Sequence, residues 1–78
     1  MKKEKIYVIY NLYLKTGEIS AIDNVAFRDV EKAVEYIESK LTEQEILNNR
    51  KAKQRNLQYD YEFTSKDYIY YWKEITLE

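Results

Sequence analysis

The chain has 78 residues, a formal charge of −1, and no histidine, cysteine or proline. That length holds one domain, residues 1–78, with a small core, and the missing residue types exclude disulfides, thiol nucleophiles, the commonest general base and most transition-metal sites. The near-neutral charge excludes the global attraction by which DNA-binding domains find a polyanion.

The start, Met1 to Lys5, is basic like a signal peptide, but Ile6 to Leu14 behind it alternates as a strand does and no small-residue cleavage site follows. No segment approaches membrane-spanning length, so a cytoplasmic protein without membrane contact is expected. The first predicted strand runs from Lys5 to Leu14. It places Ile6, Val8, Tyr10, Leu12 and Leu14 on one face and Tyr7, Ile9, Asn11 and Tyr13 on the other. Lys15-Thr16-Gly17-Glu18 carries the only glycine and predicts a hairpin turn. A two-residue Thr16-Gly17 loop sets Leu14 against Ile19 and Leu12 against Ala21, which segregates apolar from polar residues better than a three-residue bulged loop.

Asp29 is the predicted N-cap of a helix whose apolar stripe is Val30, Ala33, Val34, Ile37 and Leu41. Thr42-Glu43-Gln44-Glu45 fits a capping box and predicts a bend or a second start, followed by a solvated helix with only Ile46, Leu47, Ala52 and Leu57 as anchors. One helix or two over residues 29–57 both satisfy this pattern. From Leu57 the period returns to two, and a turn at Thr64 to Asp67 precedes a final strand, Tyr68 to Leu77, that is apolar on both sides. Pairing residues 63 and 68 puts Tyr59, Tyr61, Phe63, Tyr68, Tyr70 and Trp72 on one surface. The expected fold is α+β: an antiparallel β-β-α-(α)-β-β sheet with helical cover on one face.

Nine tyrosines dominate the candidate chemistry. They fit a small aromatic core, a base-stacking platform or a protein interface. Tyr10, Tyr59 and Tyr61 are assigned to the core. Tyr7, Tyr13, Tyr68, Tyr70, Tyr71 and Trp72 exceed what one helix stripe covers and are the predicted partner-binding residues. Asp60, Glu62, Asp67 and Glu74 lie among them and oppose a phosphate backbone. Arg50, Lys51, Lys53 and Arg55 form the one basic cluster, a candidate contact for phosphate or an acidic partner, set against the ordinary role of cations at a helix C-terminus. Carboxylate pairs, Asp60 with Glu62 and Glu31 with Glu35 or Glu38, read as solvated faces rather than acid–base pairs.

Ten lysines, eight isoleucines, five asparagines and nine tyrosines fill 32 positions, the bias of an AT-rich coding sequence. In size and composition the chain resembles the small accessory and anti-defence (anti-CRISPR-like) proteins of AT-rich phages and mobile elements. That resemblance implies an inhibitor or modulator of a host protein and no residue-level role. The expectation is a non-enzymatic protein-interaction module without cofactor or metal that binds a protein partner through an aromatic sheet surface and self-associates in one form of the reading. A two-sided apolar final strand at a sheet edge would serve as a pairing template. The alternative is a small nucleic-acid-binding or regulatory protein using the 50–55 segment, with the first reading leaving nucleic-acid affinity weak or absent.

Overall fold

A computed structural model describes residues 3–77. Six elements follow in chain order: β1 (Glu4–Tyr13), β2 (Ile19–Phe27), α1 (Val30–Glu38), α2 (Glu43–Gln54), β3 (Glu62–Thr64) and β4 (Tyr68–Leu77). The strands form one antiparallel sheet in the order β2-β1-β4-β3, the expected α+β architecture. β1 and β4 pair along their whole length, from Glu4 opposite Leu77 to Tyr13 opposite Tyr68. The final strand is therefore central over its first half, to Trp72, and an edge beyond it. The molecule measures 42 × 29 × 20 Å. Its thinnest dimension matches one sheet and one helix layer of about 10 Å each.

Leu12 faces Ile19 and Tyr10 faces Ala21 in the first hairpin. The apolar segregation expected for this pair is present, but the register is two residues from the two-residue-loop prediction. The cause is a longer turn: the Tyr13 amide donates to the Glu18 carbonyl at 2.9 Å and Gly17 N–H donates to the Tyr13 carbonyl at 2.7 Å. Gly17 adopts φ 75°, which an L side chain resists. Farther along, β2 bulges between Ala21 and Ala26, with Asp23 and Asn24 at φ 54° and 47°. Tyr36 on α1 donates its hydroxyl to the Asp23 carboxylate, and Lys40 lies 3.0 Å from it, so the helix fixes the bulge.

Residues 29–57 form two helices. Asp29 precedes α1 in extended conformation as expected, although its side chain makes no capping bond. At the start of α2 the capping box is complete: the Thr42 hydroxyl accepts from Glu45 N–H, and the Glu45 carboxylate accepts from Thr42 N–H. The helix ends on Asn56 at φ 56°, with Asn56 N–H donating to Lys53 O and Leu57 N–H to Ala52 O. This paired termination is a Schellman motif with asparagine in the left-handed position.

Ile9, Ala33, Ile37 and Phe63 form the buried core, with Tyr7, Ile22, Val25, Phe27, Val34, Tyr36, Leu41, Tyr70 and Trp72 packed around it. The helices thus cover the face of β1 that carries Tyr7, Ile9, Asn11 and Tyr13. Phe63 pairs with Tyr70, so Phe63, Tyr68, Tyr70 and Trp72 share that face as expected, although the register is again two residues from the prediction. Tyr59 and Tyr61 depart from the expected strand. The Schellman end and a turn closed by Glu62 N–H on Tyr59 O delay β3 until Glu62. The two rings stack on each other at 5.2 Å and are 66% and 41% exposed, outside the core assigned to them.

Candidate interaction surface

Side chains alternate along a strand, so the register fixes what lies opposite the helices. Ile6, Val8, Tyr10 and Leu12 of β1 share that second face with Ile69, Tyr71, Lys73, Ile75 and Leu77 of β4 and with Ile19, Ala21 and Ala26 of β2. Among the described residues no element packs over it: α1 contacts β1, β2 and β4 through its Ala33 and Ile37 side, and α2 contacts β3. At the centre, the Tyr10 and Tyr71 rings stack with centroids 5.4 Å apart and planes 17° from parallel. Ile19 at 60% exposure and Leu77 at 42% mark opposite corners of this face. A groove of about 580 Å³ runs from this face over the margin of β4, lined by Tyr10, Ile19, Tyr71 and Lys73 together with Tyr61, Trp72 and Glu74. Burial beneath the neighbouring side chains, then the nearby Tyr10, holds the Tyr71 hydroxyl above its ordinary pKa.

The six predicted partner-binding aromatics divide between the two faces. Tyr7, Tyr70 and Trp72 pack against the core, with Tyr7 and Trp72 edge to face at 5.3 Å. Tyr13 and Tyr68 meet at 5.1 Å at the end of the same helix-covered side. Only Tyr71 lies on the open face. Its partner there is Tyr10, which the sequence reading assigned to the core. Tyr10 is the functional candidate that reading missed. The signal was present in the strict alternation of Ile6, Val8, Tyr10 and Leu12, but both faces of β1 are apolar, and alternation alone does not say which one a helix covers.

The basic cluster is dispersed by its own fold. Arg50 makes two bonds to the Glu38 carboxylate, at 3.2 and 3.0 Å. Lys53 turns inward, its ammonium 3.3 Å from the Phe63 ring centroid and donating to the Glu62 carbonyl at 2.6 Å. Burial lowers its pKa to about 8, partly opposed by the carboxylates of Asp60, Glu38 and Glu62. Lys51 on α2 and Arg55 just beyond its end remain exposed. The four cations therefore do not converge on one phosphate-binding surface.

No group of three or more acidic side chains able to hold a metal occurs among the described residues, and no helix there is long and apolar enough to cross a membrane. Comparison with protein-family models, curated proteins and solved structures finds no match.

Proposed function

We propose that the protein is a non-enzymatic interaction module whose working surface is the open sheet face, and that it acts by occupying a surface of a larger protein. The observation that carries this reading is the uncovered Tyr10–Tyr71 face. Two ten-residue strands at about 3.3 Å per residue, flanked by shorter ones at about 4.8 Å spacing, present roughly 500 Å². The largest apolar patch on a typical single chain is about 300–600 Å² and is often functional. The stacked tyrosines give it rigid, amphipathic anchors of the kind that dominate binding energy. The resemblance to phage accessory proteins supplies the biological form of the proposal: an inhibitor or modulator of a host defence protein. Engagement of Arg50 and Lys53 within the molecule argues against the nucleic-acid alternative.

The test is affinity capture from host cells with three baits: wild type, Tyr71→Lys, and Lys51→Gln/Arg55→Gln. A protein retained in stoichiometric amount by wild type and by the glutamine variant, but lost from Tyr71→Lys, supports the proposal. Capture of nucleic acid that depends on Lys51 and Arg55 would replace it with the alternative.

A further inference from the structure

The two outer margins of the sheet are unequally protected. In an antiparallel ladder, alternate residues direct their N–H and C=O groups to opposite sides of the strand. Along β4, Ser65 N–H donates to Tyr68 O and Trp72 N–H donates to Tyr61 O, so the even-numbered residues face β3. The odd-numbered ones face β1. β3 ends its pairing at Glu62 opposite Tyr71, and the Tyr59–Glu62 turn carries the chain away. The continuous β1–β4 register extends to Leu77. Glu74 and Thr76 therefore direct four backbone groups outward where, among the described residues, nothing pairs with them, and both residues are exposed.

Elsewhere the edges are closed or interrupted. The outward groups of β3 are satisfied: Glu62 N–H by Tyr59 O, Glu62 O by Lys53, and both polar groups of Thr64 by the Asn49 amide. β2 is broken by its bulge after Ala21, a device that limits strand addition. The short free margin of β4 is the remaining regular template.

We infer that this margin pairs with a second copy of the chain, β4 against β4, antiparallel and centred on Ile75. A two-fold axis there sets Glu74 opposite Thr76 of the partner copy and Thr76 opposite Glu74, so the outward groups of each residue meet their complements. The pairing is isologous and closes on itself. Charge selects this register. Shifting it to bring Glu74 opposite Glu74 sets like charges directly across the ladder, which destabilises it. In the centred register a threonine hydroxyl faces each carboxylate instead. Glu74 is already held by the Tyr7 hydroxyl at 3.2 Å and by Lys5 at 3.7 Å. On the other side, Ile75 meets Ile75 and the Lys73 stem lies beside Leu77, whose 42% exposure falls on pairing. Two open faces then become one eight-stranded surface. The pairing uses backbone groups at the margin of the open face and leaves its Tyr10–Tyr71 centre, which carries the proposed function, free.

The test combines light scattering with amide exchange on the full chain. In tens of micromolar protein the expected mass is twice that of the chain, and the Glu74 and Thr76 amides gain an order of magnitude in protection relative to dilute protein. Thr76→Pro deletes an N–H that no bond within one copy uses, so it should remain folded and become monomeric. Ile75→Pro, which removes a bond to β1, should melt early. Should Thr76→Pro fail to fold, exchange in the wild-type chain still decides the matter. A monomer at every concentration overturns the inference. So does a dimer without protection at Glu74 and Thr76, which places association away from the β4 margin, or one that survives Thr76→Pro but is lost in Tyr71→Lys, which places it on the open face.

Discussion

The Asn49 side-chain amide on α2 pairs with both backbone polar groups of Thr64 on β3, accepting from its N–H at 2.7 Å and donating to its carbonyl at 2.9 Å. The side chain takes the place of a fifth strand. It is 4% exposed, and its remaining capacity is filled by Glu45 O at 2.7 Å and by the Gln58 amide at 2.7 Å. Asn49 docks α2 and closes the β3 edge at Thr64, as Lys53 and Tyr59 close it at Glu62. Thr64 itself is exposed, so in Asn49→Ala water reaches its two freed backbone groups; the loss is that of the two hydrogen bonds, about 0.5–1.5 kcal/mol each, and should lower the urea midpoint. Asn49→Asp keeps the acceptor and loses the donor, setting a carboxylate against Thr64 O and Glu45 O. Its loss should be larger at neutral pH than in mild acid, which equilibrium unfolding at two pH values would show.

Trp72 belongs to the fold. Its ring meets Tyr7 at 5.3 Å and Tyr61 at 6.1 Å on the helix-covered face, while its indole N–H is buried without a partner. Trp72→Ala should cost about 3–5 kcal/mol of stability. Trp72→Phe deletes the unpaired donor along with some ring area, so its cost should be much smaller. Thermal melts of the two variants side by side check this. Equal losses would mean that the N–H finds water or a partner.

Lys53 gives the protein a basic-side pH signature. Its pKa is about 8 when folded against an ordinary 10.5. Between those values the unfolded chain binds more protons, so this group makes stability rise with pH through that window. Tyr36 and Lys40 act in the opposite direction. Both are raised by the Asp23 hydrogen bond first, so their contribution is present below pH 10 and is lost as pH climbs through their folded values. Lys53→Met keeps the stem over Phe63 and removes the charge. The variant should lose the rise in urea midpoint between pH 8 and 10, and an unchanged slope would show Lys53 to be solvated.

Acid should act at two named carboxylates. Asp23 is lowered by the Tyr36 hydrogen bond and then by Lys40, and Glu45 is lowered first by the Thr42 backbone N–H and further by that of Lys66. A depressed carboxylate stabilises the fold above its unfolded pKa, and that contribution is lost as pH falls through the folded value. Unfolding midpoints should decline below about pH 4. Glu45→Gln should flatten the decline while also lowering the neutral-pH midpoint, because the amide cannot replace both bonds. An acid profile identical to wild type would remove Glu45 from this role.

Local signals made much of this fold legible. The Val30-Ala33-Val34-Ile37 stripe, the Thr42 capping box, the Tyr68 to Leu77 strand and the apolar parity of the first hairpin all follow from spacing within a few residues. What was not legible depends on distant pairs. Ile9 and Tyr10 are adjacent on a strand with two apolar faces, and only α1 packing decides that Ile9 is enclosed while Tyr10 is left open. β3 is short because Asn56 turns left-handed and Glu62 bonds back to Tyr59, neither of which affects the period-two pattern. Arg50 and Lys53 read as a patch until Glu38 and Phe63 are brought beside them. Asn49 carried no signal, since its partner lies 15 residues away.

The central claim is that the Tyr10–Tyr71 face serves binding and not folding. It is tested most directly by melting the Tyr10→Thr/Tyr71→Lys variant, which sets no like charges across the ladder, and measuring its retention of the protein captured by wild type. The face has no cover to disrupt, and lysine stems lie along apolar sheets with their ammonium groups in water. The expected result is a cooperative melt within a few degrees of wild type, together with loss of the captured protein. A variant that is unfolded, or one that is folded and still binds, would contradict it.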